Sequence, residues 1–289
     1  MKTILFLCLL CIAPFSSLLS QERNFQREYD SLFYIGTPQQ LSSILSSWEK
    51  KTPQDPELLI AWYNFYVKSS AHEVPLSKGS QVKEGSDTAT VTMQYDAEKM
   101  KKAYTYLDKG ILLYPDRLDM RFGKIYMLGQ TGNYDAFTKQ IIEMTEYGYS
   151  IKNMWKLPKK ATAKNEETLM LGTIQLYVGT LLDIGDAQGP HIRTICEEVI
   201  KHNPERMDFL FDLGVTYMFK EEWDKALPEL LKAEKLSPSD ISVLNNIAFC
   251  YQQKNDKTNA IAYFEKIVKV GNEEDKSKAE EEIKKLKQK

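Results

Sequence analysis

Apolar residues recur every three or four positions over most of this chain, and short polar breaks separate the apolar stretches. This spacing places the apolar side chains on one face of a helix, so the pattern predicts a series of amphipathic helices. The expected helices are 22–35, 38–51, 56–70, 96–114, 166–184, 189–203 and 273–289, with two further pairs between 207 and 272. The chain is therefore predicted to be all-α.

One apolar template occurs twice near the C-terminus, each time with the same internal spacing. Every matched pair is 34 residues apart: Leu210 and Leu244, Gly214 and Ala248, Tyr217 and Tyr251, Ala226 and Ala260, and Leu230 and Phe264. A fixed period of 20 to 50 residues indicates a solenoid, in which each unit buries its apolar face against its neighbours.

The template has small residues where two helices of a unit are expected to cross closely, at Gly214 and Ala248. Pro238 follows the second helix and favours its end, because proline lacks an N–H group. At these positions the chain resembles the tetratricopeptide repeat (TPR), a helix–turn–helix unit of 34 residues. The resemblance is strongest in 207–240 and 241–272, and it implies a right-handed TPR-type helical-repeat solenoid.

Two insertions interrupt the pattern upstream of these repeats. The first, 71–95, has β-branched flanks around a Gly- and Ser-containing centre, which favours a β-hairpin or an ordered loop. The second is 150–165. The last segment, 273–289, has a narrow apolar stripe in a charged background, as expected of a capping helix. We expect 21–289 to form a single solenoid domain.

The N-terminus has a lysine followed by an apolar run, which is typical of a secretory signal peptide spanning 1–20 and cleaved after Ser20. The mature protein is then expected in the periplasm or cell envelope, or secreted. A lipid anchor is the alternative, but Cys8 and Cys11 lack the small preceding residues that it requires. No later apolar run is long enough to span a membrane, so no membrane span is expected after cleavage.

The net charge of the chain is −2, and it becomes −3 when a leader containing Lys2 is removed. This balance argues against a nucleic-acid partner, because such proteins are usually basic. Cys196 and Cys250 remain after cleavage, and export would permit a disulfide. They lie about two repeats apart among apolar residues, so buried thiols are the better interpretation.

No set of residues predicts catalysis. His72, His191 and His202 have no metal-binding spacing, and the chain lacks a Cys-x-x-Cys pair, a glycine-rich phosphate loop and a nucleophile elbow. We therefore expect a protein that is not an enzyme and has no cofactor and no metal, although dispersed catalytic residues stay an alternative.

The TPR resemblance implies a concave surface lined by the first helix of each unit, which commonly holds a peptide. The predicted groove residues are Arg117, Met120, Arg121, Lys124, Asp208, Phe211, Asp212, Val215, Ser242, Asn245, Asn246 and Phe249. The carboxylate clamp of chaperone-binding members is absent, since Phe211 and Val215 replace two of its polar residues. The alternative is that the apolar members of this set belong to the core between repeats.

Trp155 lies in a lysine-rich part of the second insertion, where it is a candidate for contact with a sugar or an acidic partner. The alternative is that it fixes the loop to the scaffold. The leading hypothesis for function is a scaffold or adaptor that binds a protein or peptide. The start of the chain and its insertions resemble secreted TPR proteins of the Bacteroidetes type. The alternatives are a carbohydrate-capture protein of the outer envelope and an enzyme with a dispersed site.

Overall fold

The amphipathic stretches fold into helices at almost the ranges that their apolar spacing predicts. The computed structural model describes residues 23–75, 91–157 and 165–288, which contain thirteen α-helices and one two-stranded sheet. The first half has α1 (Phe25–Leu32), α2 (Pro38–Lys51), α3 (Pro56–Ser70), β1 (Ala71–Pro75), β2 (Val91–Tyr95), α4 (Ala97–Leu113), α5 (Leu118–Gln130) and α6 (Tyr134–Ser150). The second half has α7 (Glu166–Ile184), α8 (Gly189–His202), α9 (Met207–Met218), α10 (Trp223–Leu236), α11 (Ile241–Gln253), α12 (Lys257–Val270) and α13 (Glu273–Gln288).

Many of these helices begin at a short polar residue, whose side chain accepts a hydrogen bond from a backbone N–H in the first turn. Thr37 forms a complete capping box with Gln40 at the start of α2. The other side-chain caps are Asn24, Asp55, Asp96, Asn133, Asn165, Asp240 and Asp256. These caps set the boundaries between helices, so the lengths of the repeat units follow from local chemistry.

The helices associate as consecutive antiparallel pairs: α3 with α4, α5 with α6, α7 with α8, α9 with α10, and α11 with α12. The helices α1 and α2 precede this series, and α13 packs on α12 through Ala279. The hairpin alternative for the first insertion is confirmed, because β1 and β2 pair antiparallel between α3 and α4 with Ala71 opposite Tyr95. The protein is thus an all-α TPR-type solenoid with a small inserted β-hairpin.

The core runs along the chain as a series of clusters that neighbouring pairs share. Helix α9 illustrates this, because Phe209 and Leu213 belong to the cluster formed with α5–α8, whereas Leu210 belongs to the cluster formed with α10–α13. Each pair buries its apolar face only against the adjacent pairs, as expected of a solenoid.

The small residues of the repeat template occupy close helix crossings. Gly214 is buried, and a Cβ atom at this position would lie 2.7 Å from Leu230 Cγ and 2.8 Å from Leu230 Cδ2. Ala248, Ala226 and Ala260 are likewise fully buried. The close approach of α9 and α10 therefore depends on the absence of a side chain at Gly214.

Replacement of Gly214 with alanine is expected to lower the free energy of unfolding by about 1 to 3 kcal/mol, because the new methyl group overpacks against Leu230. The matched control is Gly172→Ala on α7, where an added Cβ meets no atom within 4 Å. That change should raise stability by up to about 1 kcal/mol through helix propensity. Denaturation followed by circular dichroism measures both, and equal stabilisation by the two changes would contradict the close crossing.

The two cysteines within the described ranges, Cys196 on α8 and Cys250 on α11, are fully buried free thiols. Burial raises the pKa of the Cys196 thiol, and it raises the pKa of Cys250 to about 11. Neither thiol is therefore a ready nucleophile near neutral pH.

Some predictions concern residues outside the described ranges. These are the signal peptide at 1–20 with its cleavage after Ser20, the centre of the first insertion at 76–90, and 158–164 of the second insertion. Within the described ranges, no helix combines the length and the hydropathy that crossing a membrane requires.

Candidate functional site

The first helices of successive pairs lie side by side, and polar side chains connect them. Tyr63 on α3 donates a hydrogen bond to the carbonyl of Gly123 on α5 at 2.6 Å. Tyr177 on α7 donates to the carbonyl of Phe122 at 3.4 Å, and Gln175 on α7 donates to Asp212 on α9 at 2.6 Å. We call the surface formed by α3, α5, α7, α9 and α11 the first-helix surface.

The prediction that Arg117 and Arg121 line an open groove is wrong, because both side chains are buried. The Arg117 guanidinium forms ion pairs with Asp119 at 2.8 Å and with Glu57 at 2.9 Å. Arg121 donates two hydrogen bonds to the carbonyl of Pro115, at 3.1 Å and 3.0 Å. These arginines hold the α4–α5 connection in place.

The same correction applies to Met120, and the nearby Lys124 is already paired. Met120 is fully buried against Gly110, where a Cβ atom would lie 2.8 Å from the methionine sulfur. Lys124 forms an ion pair with Asp108 of α4 at 2.5 Å. The predicted basic centre of the groove is therefore a set of structural contacts between α3, α4 and α5.

Trp155 is buried, with 5% of its surface exposed, so it does not offer an exposed contact for a sugar or an acidic partner. Its ring lies 5.6 Å from that of Tyr147, and the Arg121 guanidinium lies 5.5 Å above it. Beside it, the backbone N–H of Lys156 donates to the carbonyl of Asp116 at 2.7 Å. These contacts agree with the alternative interpretation, in which Trp155 fixes the loop to the scaffold.

The C-terminal members of the predicted groove are more exposed than Arg117, Met120 and Arg121. Ser242, Asn245 and Phe249 are exposed on α11, and Phe249 packs edge-on against Trp223 with 5.7 Å between ring centroids. The half-buried members are Asp208, Phe211, Val215 and Asn246. Only Asp212 in this half is buried, with 6% of its surface exposed.

A recess of about 310 Å³ lies between α7, α9 and α11 on the first-helix surface. We call it the acidic recess, and its polar lining consists of Gln175, Asp208, Asp212, Asp240 and Ser242. Arg206 engages Asp208 through two nitrogen atoms, one of them at 2.9 Å. The Asp240 carboxylate caps α11 by accepting from the backbone N–H of Val243 at 3.1 Å.

Asp212 is the electrostatically unusual group of this recess. Burial raises its pKa to about 6, and the hydrogen bond from Gln175 and the nearby Asp208 have opposing smaller effects. Its Oδ2 atom accepts from Gln175, but no described residue donates to its Oδ1 atom. The Oε1 atom of Gln175 is also buried without a hydrogen-bond partner in the described part of the chain.

A second recess, of about 290 Å³, lies on the other side of α7 against α5 and α6. We call it the apolar recess, and its large side chains are Tyr126, Tyr134, Phe137, Leu176, Tyr177 and Leu181. Leu176 is 73% exposed and Tyr126 is 53% exposed. Because Gln175 and Leu176 are neighbours in sequence, the two recesses flank the same turn of α7.

The sequence prediction missed every residue of the apolar recess, and in the acidic recess it missed Gln175, Met207, Asp240 and Val243. The spacing in α7 departs from the repeat template, so its outward positions could not be transferred from α9 and α11. One signal was available: Gln175 is a lone amide within the apolar run from Leu169 to Leu182. A buried amide of this kind usually has a specific hydrogen-bond partner.

Comparison with known proteins identifies sequence similarity in the last quarter of the chain. Residues 219–289 match the family model for regulator of microtubule dynamics protein 1-3. No curated protein matches in sequence.

Among solved structures, YrrB, described as a TPR protein with an unusual peptide-binding site, is 13% identical, with a TM-score of 0.38. That alignment covers 82% of this chain and 97% of YrrB. MamA from Desulfovibrio magneticus RS-1 is 16% identical with a TM-score of 0.33, covering 59% of this chain and 84% of that one. The TPR domain of P58(IPK) is 14% identical with a TM-score of 0.35, covering 91% and 64%, respectively.

The class of this protein follows from its own repeats and helix pairs: it is a helical-repeat protein of the TPR type. The family-model match covers too little of the chain to assign membership in the regulator of microtubule dynamics family.

Proposed function

We propose that this chain is a non-enzymatic scaffold that binds a protein or peptide segment on the first-helix surface between α5 and α11. The observation that carries the proposal is the pair of recesses flanking α7, which together present an acidic and an apolar site along one surface. Ligand sites of proteins are usually concave, with a few placed polar groups among apolar ones. YrrB, whose description names a peptide-binding site, offers an analogy for this use of the fold.

The carbohydrate alternative depended on Trp155, and the burial of this side chain removes its proposed contact residue. The thiol behind the acidic recess is Cys196, whose pKa is raised by burial, and this disfavours the thiolate that nucleophilic chemistry requires. We therefore retain peptide binding as the single proposed function.

Selection from a displayed library of random peptides on the immobilised full chain tests this function. We expect enriched sequences that compete with one another, and binding that falls by about tenfold or more when Phe211 of the acidic recess and Leu176 of the apolar recess are both replaced with alanine. The matched control is Leu112→Ala, which changes an 81% exposed leucine on α4, away from the recesses. Failure to enrich any sequence, or equal binding by the double variant, would contradict the proposal.

We further propose that the protein is exported to the periplasm or cell envelope, or secreted, as in the secreted TPR proteins of the Bacteroidetes type that it resembles. The support is the lysine and the apolar run within residues 1–20. Mass spectrometry of the protein isolated from its native host is expected to show an N-terminus at Gln21. Recovery of the chain with Met1 still attached would count against export by this signal.

A further inference from the structure

The acidic recess contains two acceptor atoms that lack donors, and one of them, Gln175 Oε1, is buried. In the described part of the chain, no group donates to Asp212 Oδ1 or to Gln175 Oε1. Asp212 is more than nine-tenths buried and lines the recess directly. Buried polar atoms normally have hydrogen-bond partners. Because both unsatisfied atoms are acceptors, the missing partner is a group that donates.

The charge around these atoms identifies the kind of donor. Three carboxylates, from Asp208, Asp212 and Asp240, line the recess, and no lysine, arginine or histidine is among its lining residues. Arg206 is the cation nearest in sequence, and it is already engaged by Asp208. A buried carboxylate without a cation is unfavourable, whereas a charged donor satisfies both its charge and its hydrogen bonds.

We infer that the acidic recess binds a lysine or arginine side chain of a peptide ligand, and that the adjacent apolar recess binds a large apolar side chain of the same peptide. This inference rests on the proposed function and specifies its ligand. An ammonium group has three donors, which match Asp212 Oδ1, Gln175 Oε1 and one further oxygen at the rim, such as that of Ser242. Leu176 and Tyr126 provide the exposed apolar edge of the second recess.

The position of α7 between the recesses sets the spacing of the two side chains. Packed helices lie about 8 to 10 Å apart, so sites on opposite sides of one helix are separated by about the same distance. An extended peptide advances about 3.3 Å per residue. The basic and apolar side chains are therefore expected about three positions apart.

Selection with two peptide pools tests the inference on the full chain. Both pools are ten residues long with acetylated and amidated ends, and one contains lysine and arginine whereas the other contains norleucine in their place. We expect the selected peptides to have a basic residue about three positions from a large apolar one. Replacement of that basic residue with norleucine should weaken binding by about tenfold, the typical effect of a hydrogen bond to a charged group.

Two variants separate the recesses. Asp212→Asn should abolish the preference for a basic residue and retain the preference for an apolar one. Leu176→Ala should abolish the preference for an apolar residue and retain the preference for a basic one. The matched controls are Asp135→Asn, at a fully exposed carboxylate on α6, and Leu112→Ala on α4, and neither should alter selection.

The outcomes distinguish this inference from the proposed function. Enriched peptides that bind the first-helix surface without a basic residue, or an unchanged basic preference in Asp212→Asn, would show that water satisfies the two acceptors and would overturn the inference alone. Absence of any enriched peptide would overturn both proposals.

Discussion

Replacement of Trp155 with alanine is expected to lower the free energy of unfolding by about 3 to 5 kcal/mol, the usual cost of removing a buried tryptophan. The indole ring fills the space between Tyr147 on α6 and Arg121 on α5. A Cβ atom added at Gly148 would lie 2.9 Å from its Cζ2 atom, so the ring contacts the α6 backbone as well. Its loss would leave a cavity where the start of the second insertion packs against α5 and α6.

Urea denaturation followed by circular dichroism measures this effect without relying on tryptophan fluorescence. The matched control is Met154→Ala, because Met154 precedes Trp155 in the same loop but is 69% exposed. We expect the control to change the free energy of unfolding by less than about 0.5 kcal/mol. A Trp155→Ala protein as stable as the control would contradict the structural role of the indole.

The sequence predicted the elements of this fold well because the information is local. The helix at 166–184 follows from its own apolar spacing and its Asn165 cap, and its observed bounds are the predicted ones. Gly214 is likewise predictable, since a small residue in a helix–turn–helix template indicates a close crossing within one unit. Short-range periodicity and capping therefore determine most of the architecture.

The predicted groove failed in its centre because the decisive contacts are distant in sequence. Arg117 pairs with Glu57, which lies 60 residues earlier, and Lys124 pairs with Asp108 on the preceding helix. A charged residue at an outward template position looks available in the sequence even when a neighbouring unit neutralises it. Only the three-dimensional arrangement shows that these cations are structural.

The Gln175–Asp212 contact shows an intermediate case. Its residues are 37 positions apart, close to one repeat period, so a regular solenoid would bring such positions together. The prediction was not made because α7 follows the second insertion and does not keep the phase of the template. With that phase known, the lone amide of Gln175 would have pointed to the acidic partner.

Asp212→Asn is expected to stabilise the protein near neutral pH and to have little effect in acid. The pKa of Asp212 is raised from 3.8 to about 6, chiefly by burial, so the folded state binds its proton more tightly than the unfolded state. Stability therefore falls as the pH rises through the interval between these two values. Since one pKa unit corresponds to about 1.4 kcal/mol, ionisation of Asp212 costs up to about 3 kcal/mol at pH 7.5.

Asparagine resembles the protonated carboxyl and can still accept the hydrogen bond from Gln175. The difference in the free energy of unfolding between Asp212→Asn and the unchanged protein should thus be near zero below about pH 4 and should grow to a plateau above about pH 7. Three charged side chains face Asp212: Arg206 just before α9, Asp208 on α9 and Asp240 at the start of α11. The neutral thiol of Cys196 lies behind Asp212 on α8.

Denaturation at a series of pH values measures this difference, with Asp135→Asn as the control for loss of an exposed aspartate. A difference that does not vary with pH would show that Asp212 ionises like a solvated carboxyl. The expected combination is informative about function, because the same substitution should increase stability and remove the basic preference of bound peptides. A residue retained only for the fold would not behave in this way, since its loss would weaken folding and binding together.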